Sequence, residues 1–378
     1  MKKNSRSWTN VEGILWNYSI LQKFVEGIIL SRRHNNKIFN MFKKWGRSFI
    51  LAPYYVIGVT PTIIMTVWDF WNRYRLFSEM PRGRKAYFLF ICYSCMESEE
   101  VVEKIRNGYA SHKDRYPDHE LVYLCNSPKQ YELFKKFEFP CIFCNHNAFV
   151  DENIYKIIPD AEKKYNAIYN AAMFPCKRHF LASKVKNLAL ITYAWCDTRE
   201  YINETKKALQ GAIWINKPVP YPYDFIPEEE IHKYLNQARV GLYLSASEGA
   251  VYASAEYLLC GLPVVSTRSS GGRDVFFDDE YVKVVGDTPE AVKEGVEEMI
   301  ERNVSPYYIR EKTLEKMEPH RERFVALIQS IYDKENVDKD FKKEWGNVFV
   351  NQMIKWGKMR SFKRDIQRKV LREQNKRD

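Results

Sequence analysis

The chain has 378 residues, with 59 Lys and Arg against 48 Asp and Glu, a formal net charge of +11. With 45% hydrophobic residues it can bury real cores, which excludes a disordered chain and leaves room for two domains plus added elements. The charge is uneven: residues 1–85 hold 15 basic and 4 acidic side chains, residues 339–378 hold 13 and 5, and the middle is net acidic.

Residues 1–85 read as a basic, apolar, helical segment that associates with a membrane. Ser48–Trp68 has no charged residue, with Lys43, Lys44 and Arg47 on one flank and Arg73 and Arg75 on the other. A bilayer span needs about 20 residues, but Pro53, Gly58 and Pro61 interrupt a straight helix. Tyr54, Tyr55, Trp68 and Trp71 suit an interfacial or re-entrant segment on a cytoplasmic membrane face. A buried helical hairpin over the next domain is the other reading. The segment begins too late for a cleavable signal peptide.

Residues 86–160 read as a small α/β unit: strands at 86–93, 120–125 and 141–144, helices at 98–112 and 127–137. His146 follows the third strand, where it either faces a ligand or caps the next turn. Asp151 and Glu152 either bind hydroxyls of a ligand or cap the next segment, and the capping reading is the favoured one. Cys92-x2-Cys95 and Cys141-x2-Cys144 look like metal knuckles, but residues three apart on a strand face opposite sides. The cysteines therefore read as free and buried, with no metal.

Residues 161–335 alternate strand and helix. Strands are predicted at 165–170, 188–193, 212–215, 240–244, 264–267 and 281–285, with a helix from 175 to 185 and others at 199–209, 227–238 and 289–301. This pattern predicts a parallel doubly wound sheet, whose ligands lie beyond the carboxyl ends of the strands. Lys177 and Glu248 both fall just after predicted strands. Glu248 and Gly249 form a turn, followed by Ala250, Val251 and a helix that carries Glu256 about two turns in. The two glutamates then lie on the order of 12 Å apart, about the span of a nucleotide sugar. The helix start between them favours a diphosphate. Gly261 and Pro263 stop this helix. Residues 336–378 read as a basic amphipathic helix, with Phe341, Trp345, Val348, Phe349, Trp356 and Met359 near one face. It docks on anionic lipid or packs on the first domain.

Glu248, seven residues, then Glu256, the run Tyr257 to Val265, and Gly271-Gly272 together resemble the donor-site motif of retaining GT-B glycosyltransferases of the group 1 family. The resemblance implies an α/β, GT-B-like fold: two Rossmann-like parallel-sheet domains, here with a shortened N-terminal acceptor domain and added helical N- and C-terminal segments. It implies that Glu248 contacts the donor sugar, Glu256 the ribose, and Lys177 with Arg178 the diphosphate. Gly249, Ala250 and Val251 would line the donor, and His146 would face the reaction centre. Front-face displacement with retention, without a protein nucleophile, metal or other cofactor, is implied too. Three positions depart from the pattern. Ala172 stands where an Arg is usual, Val251 where a second Gly is usual, and Ser94-Cys95-Met96-Glu97 replaces a Gly-rich loop.

The expected activity is hexosyl transfer from a nucleoside-diphosphate sugar to a glycan or lipid-linked acceptor, on an anionic cytoplasmic membrane surface. A nucleotide-sugar epimerase and a non-catalytic nucleotide- or glycan-binding subunit are the alternatives. The chain has no Walker loop and no G-x-G-x-x-G. Its basic charge lies away from the motif-bearing domain, so no nucleic acid partner is expected.

Overall fold

The computed structural model describes residues 51–68, 80, 83–194, 198–218 and 224–374. All of these lie in one compact unit that begins at Leu51. Strands β1 (Leu51–Val59) and β2 (Thr62–Val67) form an antiparallel hairpin. The chain continues through β3 (Ala86–Ile91), α1 (Glu99–Arg115), β4 (His119–Cys125), α2 (Pro128–Lys136) and β5 (Cys141–Phe143). From β2 to β5 the strands run parallel. β2 and β3 are buried at every position, as strands covered on both faces must be. Ser98 and Ser127 cap α1 and α2 by accepting from the Val101 and Gln130 amides, each contributing about 1 kcal/mol.

The hairpin corrects one expectation. Leu51–Val67 is neither a helical nor a membrane segment; it is sheet. Its uncharged run is rich in β-branched residues, and β2 pairs with β3 in the middle of the first sheet's core. Pro61 sits in the hairpin turn and Gly58 at an irregularity in the pairing, so the residues that argued against a helix mark a hairpin. The remainder of the expected 1–85 segment, residues 1–50, 69–79, 81 and 82, lies outside the described residues. Among the described residues, no helix is long and apolar enough to cross a membrane.

The second sheet begins with β6 (Tyr165–Ala172) and β7 (Leu188–Tyr193), then α3 (Arg199–Ala208), β8 (Ile213–Trp214), α4 (Glu228–Asn236) and β9 (Ala238–Tyr243). It ends with α5 (Tyr252–Leu259), β10 (Val264–Thr267), β11 (Val282–Val285) and α6 (Pro289–Arg302). Its order is β11-β10-β9-β6-β7-β8, all parallel. The helix expected from 175 to 185 is instead two short 3-10 turns, Pro175–Lys177 and His179–Ala182. Arg178 between them has φ +50°, which no α-helix accommodates.

Helix α7 (Pro306–Lys334) ties the halves together. Its Ile309 and Met317 pack in the core of the second sheet, while Phe324, Ile328, Ile331 and Tyr332 pack in the core of the first. Pro319 lies between the two sets. Then come α8 (Phe341–Val348), β12 (Lys355–Lys358) and α9 (Met359–Gln374). β12 pairs antiparallel with β1, completing the order β12-β1-β2-β3-β4-β5. The expected single C-terminal helix is therefore two helices and a strand, because the outer edge of β1 takes up Lys355–Lys358. Its apolar side chains Phe341, Met353, Ile354, Phe362 and Ile366 are buried in the protein. Lys363, Arg364, Arg368 and Arg372 of α9 are exposed.

His112 and His119 lie buried side by side, His112 Nε2 to His119 Nδ1 at 3.1 Å. Burial pushes both down to about 4. The unfolded chain takes up these protons near pH 6.5, the folded chain only near 4, so stability is lost as pH falls from 6.5 to 4. We expect chemical denaturation to show that loss, on the order of a few kcal/mol. A His112→Phe, His119→Phe double variant should show a shallower decline; an unchanged slope contradicts this assignment.

Candidate functional site

The carboxyl ends of β6, β9 and β10 face one edge of the second sheet, and the loops that follow them carry the expected residues. Lys177 Nζ makes an ion pair with Glu248 Oε1. Both side chains are largely shielded, at 11% and 12% exposure, so little water screens the pair. Tyr169 fixes the Lys177 backbone by donating its hydroxyl to the Lys177 carbonyl at 2.6 Å. The start of α5 beside this pair, at Val251, has no side-chain cap. Lys177, Glu248 and an uncapped helix end thus share one corner of the sheet.

Arg178 is placed differently from the expectation. Its guanidinium donates to the Leu244 carbonyl at 2.6 Å, to Thr267 Oγ1 at 2.6 Å and to Asp287 Oδ2 at 2.8 Å. The left-handed backbone at Arg178 turns the side chain along the strand ends, where it ties the loops after β9, β10 and β11. It is a brace, and Lys177 is the cation that meets Glu248.

Glu256 is buried, and it sits about one turn into α5, not two, because the helix starts only at Tyr252. Asn170 Nδ2 of β6 donates to its Oε2 at 3.2 Å, and Tyr155 bonds to the same carboxyl. Burial, and then the charge of Glu228, push Glu256 up to about 8, against the pull of Tyr155 and Asn170.

The turn at Glu248–Gly249 is pressed against the loop after β3. The Gly249 amide donates to the Tyr93 carbonyl at 2.9 Å. A β-carbon at Gly249 would overlap the Cys92 and Ser94 carbonyls, so only glycine fits this approach. Gly272 makes the matching contact on the neighbouring loop: a β-carbon there would overlap the Asn126 backbone. Asn145 Nδ2 bridges the halves, donating to the Asn126 carbonyl at 2.7 Å and the Gly272 carbonyl at 2.6 Å. Asn147 Nδ2 reaches Ser254 Oγ of α5 at 3.1 Å.

His146 lies in this seam, fully buried, in the 3-10 turn His146–Phe149. Its ring faces the Ala250 backbone and packs between Tyr93 and Tyr252, at 5.7 Å and 4.9 Å. No hydrogen bond of normal geometry reaches either ring nitrogen. Burial pushes the ring down to about 3, so it is neutral. Asp151 accepts from the Asn153 amide, as a capping residue does, whereas Glu152 is no cap but is held by Arg321 at 2.6 and 2.9 Å.

The structure therefore gathers Lys177, Glu248, Gly249, Ala250, Val251 and His146 at one seam, with Glu256 one helical turn beyond. Sequence reasoning missed Arg273, whose fully buried guanidinium holds the Ser245 and Thr267 carbonyls at 2.8 and 2.5 Å and lies 4.8 Å from the Tyr243 ring. Its signal was its place directly after Gly271-Gly272. It also missed the asparagines at 126, 145 and 147, whose partners are distant in sequence. Two open hollows lie elsewhere. One, of ≈ 290 Å³, is lined by Phe277, Asp278 and Val284; the other, of ≈ 450 Å³, by Tyr131, Phe143 and Arg323. Among the described residues, no three His, Cys, Asp or Glu side chains are grouped to hold a metal.

Residues 222–343 match the family described as glycosyl transferases group 1. No curated protein sequence matches the chain. Among solved structures, the sucrose-phosphate synthase of Thermosynechococcus elongatus superposes with a TM-score of 0.50 at 13% identity, over 72% of this chain and 74% of that one. The Anabaena HepE protein, in complex with UDP and glucose, superposes with a TM-score of 0.50 at 13% identity, over 65% and 72%. These likenesses establish the fold as two α/β domains of the GT-B type, with antiparallel strands added at the outer edge of the first sheet.

The raised Glu256 carboxyl has a stability consequence. Its folded pKa lies above the unfolded value, so its contribution is full below pH 4.5 and is lost as pH rises through about 8. Glu256→Gln mimics the protonated acid. Its unfolding free energy should match wild type near pH 4.5 and exceed it above pH 8 by a few kcal/mol, on the order of the linkage limit. A variant less stable than wild type at pH 8 contradicts this environment for Glu256.

Proposed function

We propose that this chain, whose residues 222–343 match the glycosyl transferases group 1 family and whose fold is of the GT-B type, moves a hexose from a nucleoside-diphosphate sugar to an acceptor hydroxyl with retained configuration. The observation that carries the proposal is the Lys177–Glu248 pair beside the uncapped start of α5. In the resting chain each member neutralises the other. Donor binding exchanges partners: Lys177 turns to the diphosphate and Glu248 to a sugar hydroxyl. The cation then meets the charge that grows on the diphosphate as the glycosidic bond breaks. The backbone amides at the start of α5 add a second source of positive potential. Glu256 takes the ribose, and the neutral His146 supplies a hydrogen bond near the acceptor.

Two features shape this reading. The seam is tightly closed at Gly249 and Gly272, so donor entry requires the Glu248 turn and the loop after β3 to part. The acceptor is a glycan or a lipid-linked glycan. The exposed Lys363, Arg364, Arg368 and Arg372 of α9 form a basic face suited to an anionic membrane surface.

The test is release of nucleoside diphosphate from UDP-, GDP- and ADP-hexoses, with and without oligosaccharide acceptors. One donor should be consumed in an acceptor-dependent way. Lys177→Ala should lower kcat about 100-fold or more, the usual cost of removing one such charge. Acceptor-independent interconversion of the donor would point to an epimerase, and binding without turnover to a non-catalytic subunit; either overturns the transferase reading. For the membrane face, co-sedimentation with phosphatidylglycerol vesicles should exceed that with phosphatidylcholine vesicles and fall in the α9 variant with all four cations changed to Gln. Equal binding to both vesicles contradicts it.

A further inference from the structure

Three consecutive residues in the loop after β6 are each anchored to a different element. Lys177 closes the 3-10 turn Pro175–Lys177, and its carbonyl accepts from the hydroxyl of Tyr169 in β6 at 2.6 Å. Arg178 follows with φ +50°, its guanidinium tied to Leu244, Thr267 and Asp287 on the later strand ends. The amide of His179, next in the chain, donates to the hydroxyl of Tyr201 in α3 at 3.1 Å, and its Nδ1 lies 3.0 Å from the same oxygen. The buried His179 ring packs against both tyrosines, at 4.9 Å from Tyr169 and 5.7 Å from Tyr201. Within the turn, the Lys177 amide donates to the Phe174 carbonyl and the Arg178 amide to the Pro175 carbonyl, both at 3.0 Å. The backbone is therefore fixed at Lys177 and just beyond it, while the Lys177 side chain reaches out to Glu248.

We propose that Tyr169 and Tyr201 are positioning residues for the donor diphosphate: their hydroxyls clamp the backbone at Lys177 and His179 and hold the Lys177 ammonium where the diphosphate arrives. The proposal rests on the reading of Lys177 as the diphosphate cation. Tyr169 is 1% exposed, so it acts through Lys177 and does not touch the nucleotide. With the backbone held, only the side chain of Lys177 has to turn when it leaves Glu248 for a phosphate, and little ordering is left for the donor to impose. Arg178 does not take over this task, because its guanidinium is already engaged by three oxygens. Loss of either hydroxyl loosens the turn, and diphosphate binding must then reorder it. A nucleoside monophosphate, which makes less use of Lys177, feels that loss less.

The test is calorimetric titration of UDP, GDP and ADP, each beside its monophosphate, into the full chain. The variants are Tyr169→Phe, Tyr201→Phe, Lys177→Ala and each Phe variant combined with Lys177→Ala. Phenylalanine keeps the ring against His179 and removes only the hydroxyl. Wild type should prefer the diphosphate, and Lys177→Ala should lose much of that preference. Tyr169→Phe should lower the preference about three- to tenfold, the worth of one hydrogen bond, and leave monophosphate affinity within about twofold. In the Lys177→Ala background the same change should lower it no further, since the two residues act as one unit. Tyr201→Phe should follow the same pattern, and provides the reading if Tyr169→Phe does not fold. An unchanged preference in the Phe variants, equal losses for mono- and diphosphate, or losses that multiply in the combined variants overturns the clamp and leaves Lys177 standing. If Lys177→Ala keeps the full diphosphate preference, the Lys177 reading and this inference fall together. A wild-type chain that binds none of the nucleotides overturns the donor site as well.

Discussion

The candidate site depends on one close approach: the backbone of the Glu248–Gly249 turn meets the backbone of the loop after β3. Two carboxyl edges of two sheets can come this near only where side chains are absent, and Gly249 and Gly272 provide the gaps. The Gly249 amide and the Asn145 side chain then convert the contact into hydrogen bonds. This contact places His146 of one half against Ala250 of the other. Helix α7 holds the same arrangement from behind, with one end in each core. The His320 ring, directly after Pro319, accepts from the Asn145 amide at 3.1 Å and so links helix and seam.

Around this contact the protein buries groups that a purely structural design would leave out. Glu256 is held close to neutrality, His146 keeps two ring nitrogens without good partners, and the Lys177–Glu248 pair spends most of its surface out of water. A buried polar group without a full set of partners costs stability. Such costs collect where a ligand will complete the bonding. By contrast, Arg178 and Arg273 are saturated by carbonyl, hydroxyl and carboxylate oxygens, which marks them as braces for the strand ends. The distinction between an occupied and an exchangeable cation separates Arg178 from its neighbour Lys177.

Much of this was legible in the sequence wherever the signal was local. Gly261 and Pro263 ended α5, and the alternation from Tyr165 to Arg302 announced a parallel sheet. The Glu248 to Glu256 spacing led to the correct turn and helix. What was lost depended on partners far along the chain. A strand buried on both faces has no alternation, so Leu51–Val67 read like a lipid-facing run. Its pairing with β3 and with Lys355–Lys358 was invisible. The helix around Pro319 was missed because proline argues against a continuous helix. Arg178 was assigned to the diphosphate because its partners, Thr267 and Asp287, lie on later loops. The Asn126, Asn145 and Gly272 bridge carries no local pattern at all.

The account stands on Lys177 and Glu248 exchanging partners when the donor enters. A crystal structure of the chain soaked or grown with the nucleoside diphosphate it binds would test this most directly. The account predicts that Lys177 Nζ leaves Glu248 for a phosphate oxygen, with the ribose against Glu256 and the Glu248 turn drawn away from Tyr93. A nucleotide bound elsewhere, or one bound here with the Lys177–Glu248 pair intact, would contradict it.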